Sequence, residues 1–380
     1  MKLSERELEL PDAVIGKLIK IAAEDKSIIS LGAGEPDFDA PRPIVKFTKK
    51  FASKCSHYSP PGGRTDLKEA LIKKLRKENK IRASPENIIV TSGSQEAILI
   101  ATACTLDVSE QILIPNPSFL GYLPTFELFN ASPISIPLKE ENNFEIDPDD
   151  IKPLIDKKKT KAILLNTPAN PTGNVIRRKI LEEIADIAVE HDLYIFSDEA
   201  YEKIVYDKKH YSIASLNGMQ HNVVSFFTFS KTYAMCGYRL GYCVAPKRLA
   251  EAMTKTHVYT TICAPTISQL VGLKALTIKK AYTDRMVKEY NRRRKFIVKR
   301  LNEIGLRTIM PQGAFYTFSN IQHITNNSMK FAKDLLNKAK VAVVPGSEFG
   351  SHGEGYIRCS YATDYKLIET AMNKIEIFLK

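Results

Sequence analysis

Val223-Val224-Ser225-Phe226-Phe227-Thr228-Phe229-Ser230-Lys231-Thr232 runs from β-branched and aromatic residues into small and hydroxyl ones, with Arg239 eight positions beyond the lysine. The stretch predicts a short buried strand over 223–227 that ends at an amine. A lysine shielded from water loses proton affinity and can attack a carbonyl, whereas arginine stays charged and suits a phosphate. One compound that meets both is an aldehyde carrying a phosphate. In a chain with 55 lysines and arginines, a surface lysine is the plain alternative, so the rest of the sequence has to decide.

Working outward, similar apolar runs recur at 88–90, 111–114, 162–165, 193–196 and 242–244, with helix-period segments such as 94–103 and 180–191 between them. Alternation of this kind predicts an α/β fold, with a mostly parallel sheet covered by helices on both faces in three layers. After Pro265 the texture changes to a long helical stretch through Asn302, then Pro311-Gln312-Gly313-Ala314-Phe315-Tyr316-Thr317-Phe318, then helix, strand and helix. The expected division is a large domain over 46–279 and a smaller α+β domain from 1–45 plus 280–380. The turn Gly32-Ala33-Gly34-Glu35-Pro36 is expected to fold back onto the smaller domain.

Composition narrows the function classes. With 380 residues, 44% hydrophobic and 26% charged, the chain reads as an ordinary globular protein. Met1 to Pro11 alternates charge and leucine without a signal-peptide core, and no run approaches the ~18 apolar residues of a membrane helix, so a cytoplasmic location is expected. The six cysteines include no C-x-x-C pair and the seven histidines show no ligand spacing, so no metal is expected. The net charge of +12 admits nucleic acid as a partner. Yet the lysines are interleaved with acids, and the clusters Lys157-Lys158-Lys159 and Arg292-Arg293-Arg294-Lys295 read as a turn and a helix face. A basic field of this kind also attracts acidic substrates.

The ends of the expected strands carry chemistry. Ser92-Gly93-Ser94 precedes a helix, where unpaired N–H groups favour a phosphate, although a simple N-cap explains the same residues. No Walker A motif is present, and Gly32-Ala33-Gly34-Glu35-Pro36-Asp37 lacks the third glycine of a dinucleotide fingerprint. Ser197-Asp198-Glu199-Ala200-Tyr201 puts a carboxylate and a phenol at a buried strand end, and a buried carboxylate needs a cation. Asn166-Thr167-Pro168-Ala169-Asn170-Pro171-Thr172-Gly173 is a turn when read alone. Pro115-Asn116-Pro117-Ser118-Phe119 offers a ring to stack on a flat ligand or to fill the core. All of these converge where α/β sheets bind ligands.

In these motifs the chain resembles the fold-type-I aminotransferases that use pyridoxal 5′-phosphate, the aspartate aminotransferase family. The likeness spans almost the whole chain, from Ser30-Leu31-Gly32-Ala33-Gly34-Glu35-Pro36-Asp37-Phe38 to Tyr356-Ile357-Arg358-Cys359-Ser360-Tyr361-Ala362. It implies that Lys231 holds the cofactor covalently and moves the substrate Cα proton, and that Asp198 keeps the pyridine nitrogen protonated. It also implies that Tyr201 and Asn170 bond the ring oxygen, that Phe119 stacks on the ring, and that Ser92, Gly93, Ser94, Thr228 and Arg239 bind the phosphate. Arg358 is implied to grip the substrate α-carboxylate, assisted by Gly34 and Asn170. Tyr58, in His57-Tyr58-Ser59-Pro60-Pro61-Gly62-Gly63, is implied to reach the phosphate of a second subunit, which makes the expected assembly a homodimer with shared sites.

Substrate choice is set outside these motifs. Some aspartate-specific relatives place a lysine after the phosphate-binding glycine motif; here that position is Gln95, and a neutral amide gives a second carboxylate only a modest advantage. The chain also resembles archaeal aromatic aminotransferases through His210-Tyr211-Ser212-Ile213-Ala214-Ser215-Leu216 and Gly353-Glu354-Gly355-Tyr356. The expected reaction is transfer from an aromatic or broad range of amino acids to 2-oxoglutarate. Alternatives are an aspartate aminotransferase, a β-lyase on the same cofactor, and a regulatory protein, which would need a DNA-binding module that the roughly thirty residues before Gly32 are too short to form.

Overall fold

Short apolar runs bounded by turn residues form strands here because both faces of each run are buried. Each fully buried valine, isoleucine or phenylalanine then contributes about 1.5–3 kcal/mol. In the computed structural model, which describes residues 24–380 together with Leu3, Ser4, Glu7, Leu8, Leu10 and Gly16, these strands number twelve among the described residues. They are β1 (Ile29–Ser30), β2 (Ile88–Thr91), β3 (Gln111–Asn116), β4 (Ser132–Pro137), β5 (Thr160–Asn166), β6 (Tyr194–Asp198), β7 (Val223–Thr228), β8 (Gly241–Val244), β9 (Tyr316–Asn320), β10 (Val341–Ala342), β11 (Val344–Pro345) and β12 (Tyr356–Ser360). The expectation for the charged segment 1–11, and for much of the first half of 1–45, lies outside the described residues.

Seven strands form one sheet in the order β2-β8-β7-β6-β5-β3-β4. The pairs from β7 through β4 are parallel, and β8 runs antiparallel to both β7 and β2. The mostly parallel α/β sheet expected from the sequence is what forms. Because β8 reverses between two strands of the same sense, the C-terminal ends of β2, β7, β6, β5 and β3 all open at one edge. On one face Ile89, Leu164, Phe196 and Phe226 meet the helices Ser94–Thr105 and Lys247–Thr260. On the other, Val90, Ile163, Ile195 and Phe227 meet Thr65–Lys74, Arg178–Glu190 and Thr266–Ala275. The sequence did not announce β4: it is a partly exposed edge strand with prolines at 133 and 137, a pattern only an edge tolerates.

A second apolar cluster forms around Tyr290, Ile297, Leu301, Phe315, Ile357 and Met372. It joins the helices Ala281–Glu303 and Tyr365–Leu379 to the antiparallel sheet β11-β12-β9. The long helical stretch expected after Pro265 is broken at 276–280. Val271 and Ala275 belong to the first core and Met286 and Tyr290 to the second, so the chain turns as it passes between them. β1 pairs in parallel with β10, which brings the segment from Leu31 onward back to this second region.

The arginine cluster is paired within the chain. Arg292 donates to Glu289 and lies over Tyr365, Arg293 donates to Asp37 and Glu289, and Arg294 donates to Asp207 and the Pro311 carbonyl. Among the described residues no helix is long and apolar enough to cross a membrane.

Candidate active site

At the end of β2 the chain turns through Gly93 into the helix Ser94–Thr105, whose first-turn N–H groups have no intrahelical acceptors. Gly93 has φ +93°, and a Cβ there would lie 2.7 Å from Arg239 Nη2. Gly241, the first residue of β8, is squeezed harder, since its Cβ would stand 2.5 Å from the Gly93 carbonyl carbon. The two glycines therefore let β8 pack backbone to backbone against this turn, and Gly93 and Ser94 line a cup at the start of the helix. Arg239 sits at its rim with φ +50°, donating Nη1 to the Cys236 carbonyl (3.1 Å) and Nη2 to the Ser92 carbonyl (3.2 Å). Thr228 ends β7 and accepts the Ser230 N–H at 3.1 Å, capping the turn that carries Lys231.

Asp198 ends β6 and is buried. Its Oδ2 accepts the Tyr122 hydroxyl at 2.7 Å and its Oδ1 the Ala200 N–H at 3.0 Å. Burial nevertheless pushes its carboxyl up to about 6, and neither those bonds nor the nearby Lys231 amine offsets the desolvation. A carboxylate in this position calls for a cation. Behind it the turn is fixed by charge. Glu199 accepts His210 Nε2 at 2.8 Å, and Glu202 pairs with Lys74 and accepts Asn79 Nδ2 at 2.6 Å.

Lys231 Nζ donates to the Gly34 carbonyl at 2.6 Å, so the amine from β7 is already tied to the segment that follows β1. The Tyr201 and Tyr316 hydroxyls lie 2.7 Å apart. Asn166, at the end of β5, accepts the Asn170 N–H at 2.8 Å, and Asn170 Oδ1 in turn accepts Arg358 Nη1 at 3.0 Å. Arg358 comes from β12 and is 1% exposed. Its Nη2 donates to the Gly32 carbonyl at 2.8 Å and its guanidinium covers the Tyr316 ring, but its Nε has no partner. Burial holds this guanidinium below the usual arginine range, the mark of a cation short of an anion.

These groups enclose a cavity of about 650 Å³. Every residue expected at the site lines it except Ser92 and Tyr58. Ser92 stands just outside and holds Arg239 by its carbonyl. Tyr58 is 79% exposed on a pinned loop: Thr266 donates to the His57 carbonyl (2.7 Å), and Val90 N–H to that of Gly62 (3.2 Å). Gln95 also lines the cavity, but its amide donates to Thr125 Oγ1 at 3.1 Å. A larger cleft of about 1610 Å³ lies between the 202–217 segment and the start of the helix Ala281–Glu303, and holds none of the expected residues.

Two site residues escaped the sequence reading. Tyr122 follows Phe119 by three positions, one helical turn, and the two rings meet edge to face at 5.3 Å; that spacing was the available signal. Tyr316 lay inside a quoted motif and was given no role, because nothing local reveals that its hydroxyl meets Tyr201.

Comparison with known proteins shows the family. Residues 26–375 match the family described as Aminotransferase class I and II. The chain is 46% identical to an aspartate aminotransferase of Pyrococcus abyssi, over 100% of this chain and 99% of that protein. It is 45% identical to aromatic-amino-acid aminotransferase 2 of Thermococcus litoralis, over the same shares of each. The crystal structure of an aromatic aminotransferase from Pyrococcus horikoshii superposes with a TM-score of 0.90 at 44% identity, covering 96% of this chain and 98% of that one.

Proposed function

The chain belongs to the class I and II aminotransferases, and on that premise we propose that it uses pyridoxal 5′-phosphate to move the amino group of aromatic, or a broad range of, L-amino acids to 2-oxoglutarate. One observation carries the reading: a single cavity joins the Lys231 amine, a buried carboxylate without a cation at Asp198, and a buried guanidinium with an unmet donor at Arg358. Gly93 and Ser94, where the helix Ser94–Thr105 opens onto the cavity beside Arg239, fit a phosphate, and Phe119 offers a face to a flat ring. When bound, this cofactor supplies an aldehyde that takes up amines and a protonated ring that accepts the electron pair left by the departing Cα proton.

The residues divide the work. Lys231 would hold the cofactor's aldehyde carbon, and its freed amine would carry the substrate Cα proton across to that carbon. Asp198, held on both oxygens by Tyr122 and Ala200, keeps a proton on the ring nitrogen. Tyr201 and Asn170 donate to the ring oxygen. Arg358 would take the substrate α-carboxylate, with Asn170 and the Gly34 backbone beside it. Gly93, Ser94, Thr228 and Arg239 hold the phosphate, with Ser92 fixing Arg239 from outside.

Donor preference follows from which charges remain. Among the described residues, the cations lining the cavity are Lys231, Arg239 and Arg358, each already given a task, and Gln95 is tied to Thr125. A second donor carboxylate thus finds no buried partner in this chain, while Phe119 and Leu120 present apolar surface to an aromatic side chain. The acceptor's far carboxylate finds no buried partner either and is drawn only by the general basic field of a chain carrying +12. We assign 46–279 to the cofactor-binding domain, 1–45 plus 280–380 to the smaller domain, and the chain to the cytoplasm. A homodimer in which Tyr58 reaches the neighbour's phosphate accounts for a tyrosine held exposed on a fixed loop, with Tyr259 (83% exposed) on the helix beside it.

A donor panel tests the reading. With 2-oxoglutarate as acceptor, kcat/KM for tyrosine and phenylalanine should exceed that for aspartate, with no ammonia released, and Lys231→Ala should abolish turnover. A strong aspartate preference overturns the aromatic assignment, and ammonia without amino transfer overturns the reaction.

A further inference from the structure

Glu96 and His257 are both withdrawn from solvent, and neither has a part in the chemistry above. Glu96 lies in the first turn of the helix Ser94–Thr105, and its carboxylate reaches back past the helix end. Oε2 accepts the Ser92 N–H at 2.6 Å and Oε1 accepts the Thr261 hydroxyl at 2.7 Å. The His257 Nε2 stands 3.3 Å from Oε2. His257 is fully buried near the end of the helix Lys247–Thr260, and its Nδ1 lies 2.8 Å from the Pro61 carbonyl. A carbonyl only accepts, so Nδ1 carries a proton; Nε2 makes no hydrogen bond and faces the carboxylate at ion-pair distance, an attraction that requires Nε2 to carry a proton as well.

The contacts form one chain of connections. Ser92 is clamped on both sides of its residue, its N–H by Glu96 and its carbonyl by Arg239 Nη2. Pro61 belongs to the loop that carries the exposed Tyr58. Through His257, then, the carboxylate that sets Ser92, and through it Arg239, is tied to the loop expected to serve a neighbouring subunit. Burial alone would raise the Glu96 carboxyl; the imidazole, the N–H and the hydroxyl around it instead hold it down at about 2, so it remains an acceptor.

We propose that Glu96 and His257 are positioning residues: a buried latch that fixes Ser92 and Arg239 at the phosphate cup and holds the Tyr58 loop in register with it. The proposal rests on the reading that this cup takes the cofactor phosphate. It predicts an effect confined to the phosphate, because the latch touches neither Asp198 nor Lys231.

The test compares pyridoxal 5′-phosphate with phosphate-free pyridoxal, each titrated into the full chain stripped of cofactor and followed by absorbance. The parent should favour the phosphorylated form. In Glu96→Gln that preference should fall roughly tenfold, as the charge-assisted bond to the Ser92 N–H is weakened, and in His257→Leu by a similar factor, as the imidazole facing the carboxylate is removed, with pyridoxal affinity unchanged in both. Thr261→Val, at an exposed position that spares the fold, should lower it by a smaller factor, roughly threefold. Equal losses for both ligands, or none in any of the three variants, overturn the latch. A parent that does not distinguish the two ligands overturns instead the reading of the cup.

Discussion

The two arginines at opposite ends of the cavity are held in different ways. Arg239 is exposed, with two guanidinium nitrogens resting on the Cys236 and Ser92 carbonyls. Arg358 is sealed from water, keeps one unpartnered nitrogen, and is pushed down by desolvation. An exposed cation costs little to maintain and gives a resident phosphate a modest, screened attraction shared with backbone donors. A buried cation is costly until an anion arrives, so the arriving carboxylate gains far more from it. Under the proposed reading, the end that exchanges substrate each turnover stores the larger demand, and the end that keeps its ligand is satisfied by many weaker contacts.

Replacing Arg358 should break this contrast most severely. Arg358→Gln is expected to lower kcat/KM for every amino donor on the order of 10³-fold, since the buried charge facing the substrate α-carboxylate is lost, while cofactor affinity stays near parental. Steady-state kinetics beside a cofactor titration would check it. A loss shared equally between the two would erase the distinction between the ends.

Asp198 sharpens the comparison from the middle of the cavity, because it is the opposite case: a buried anion awaiting a cation. Its folded value of about 6 lies above the ordinary 3.8, so its contribution to stability is intact below about pH 4 and lost as the pH rises through 6. In the cofactor-free chain at pH 7 the cost is about 3 kcal/mol. Asp198→Asn should therefore raise the melting temperature of the cofactor-free chain at pH 7 but not at pH 4, and weaken cofactor binding. Thermal melts at the two pH values, with and without cofactor, decide it; a pH-independent shift would refute the assignment.

Arg239→Gln should have the smallest effect. Cofactor affinity is expected to fall roughly 30-fold, while KM for the amino donor in the cofactor-saturated variant changes little. A large rise in KM would mean that the rim arginine contacts substrate and that the division of labour is wrong.

Much of this site was legible from local sequence. Lys231, Asp198, Asn170 and the Ser92 to Ser94 turn each lie at the end of an apolar strand or within the next four residues, and an apolar run of that length must be a buried strand whose polar end emerges at the sheet edge. The break between the helices Thr266–Ala275 and Ala281–Glu303 was not legible, because it depends on which of two cores each helix joins. Nor was edge strand β4, whose prolines read as loop until its place in the sheet is known. The cluster at Arg292 to Arg294 looked like a basic face; Asp37, Glu289 and Asp207 claim it, two of them far away in sequence.

The sequence by itself determined the α/β alternation, the order of reactive groups along the strand ends, and the family resemblance, since all of these rest on periodicity and on motifs a few residues long. Only the tertiary structure decided that Tyr122 holds Asp198, that Tyr316 meets Tyr201, that Gln95 is tied to Thr125, and that Glu96 and His257 join the phosphate cup to the Tyr58 loop. Those contacts connect segments up to about 200 residues apart, and a side chain's partner across such a distance is set by how strands and helices pack, which no local pattern records.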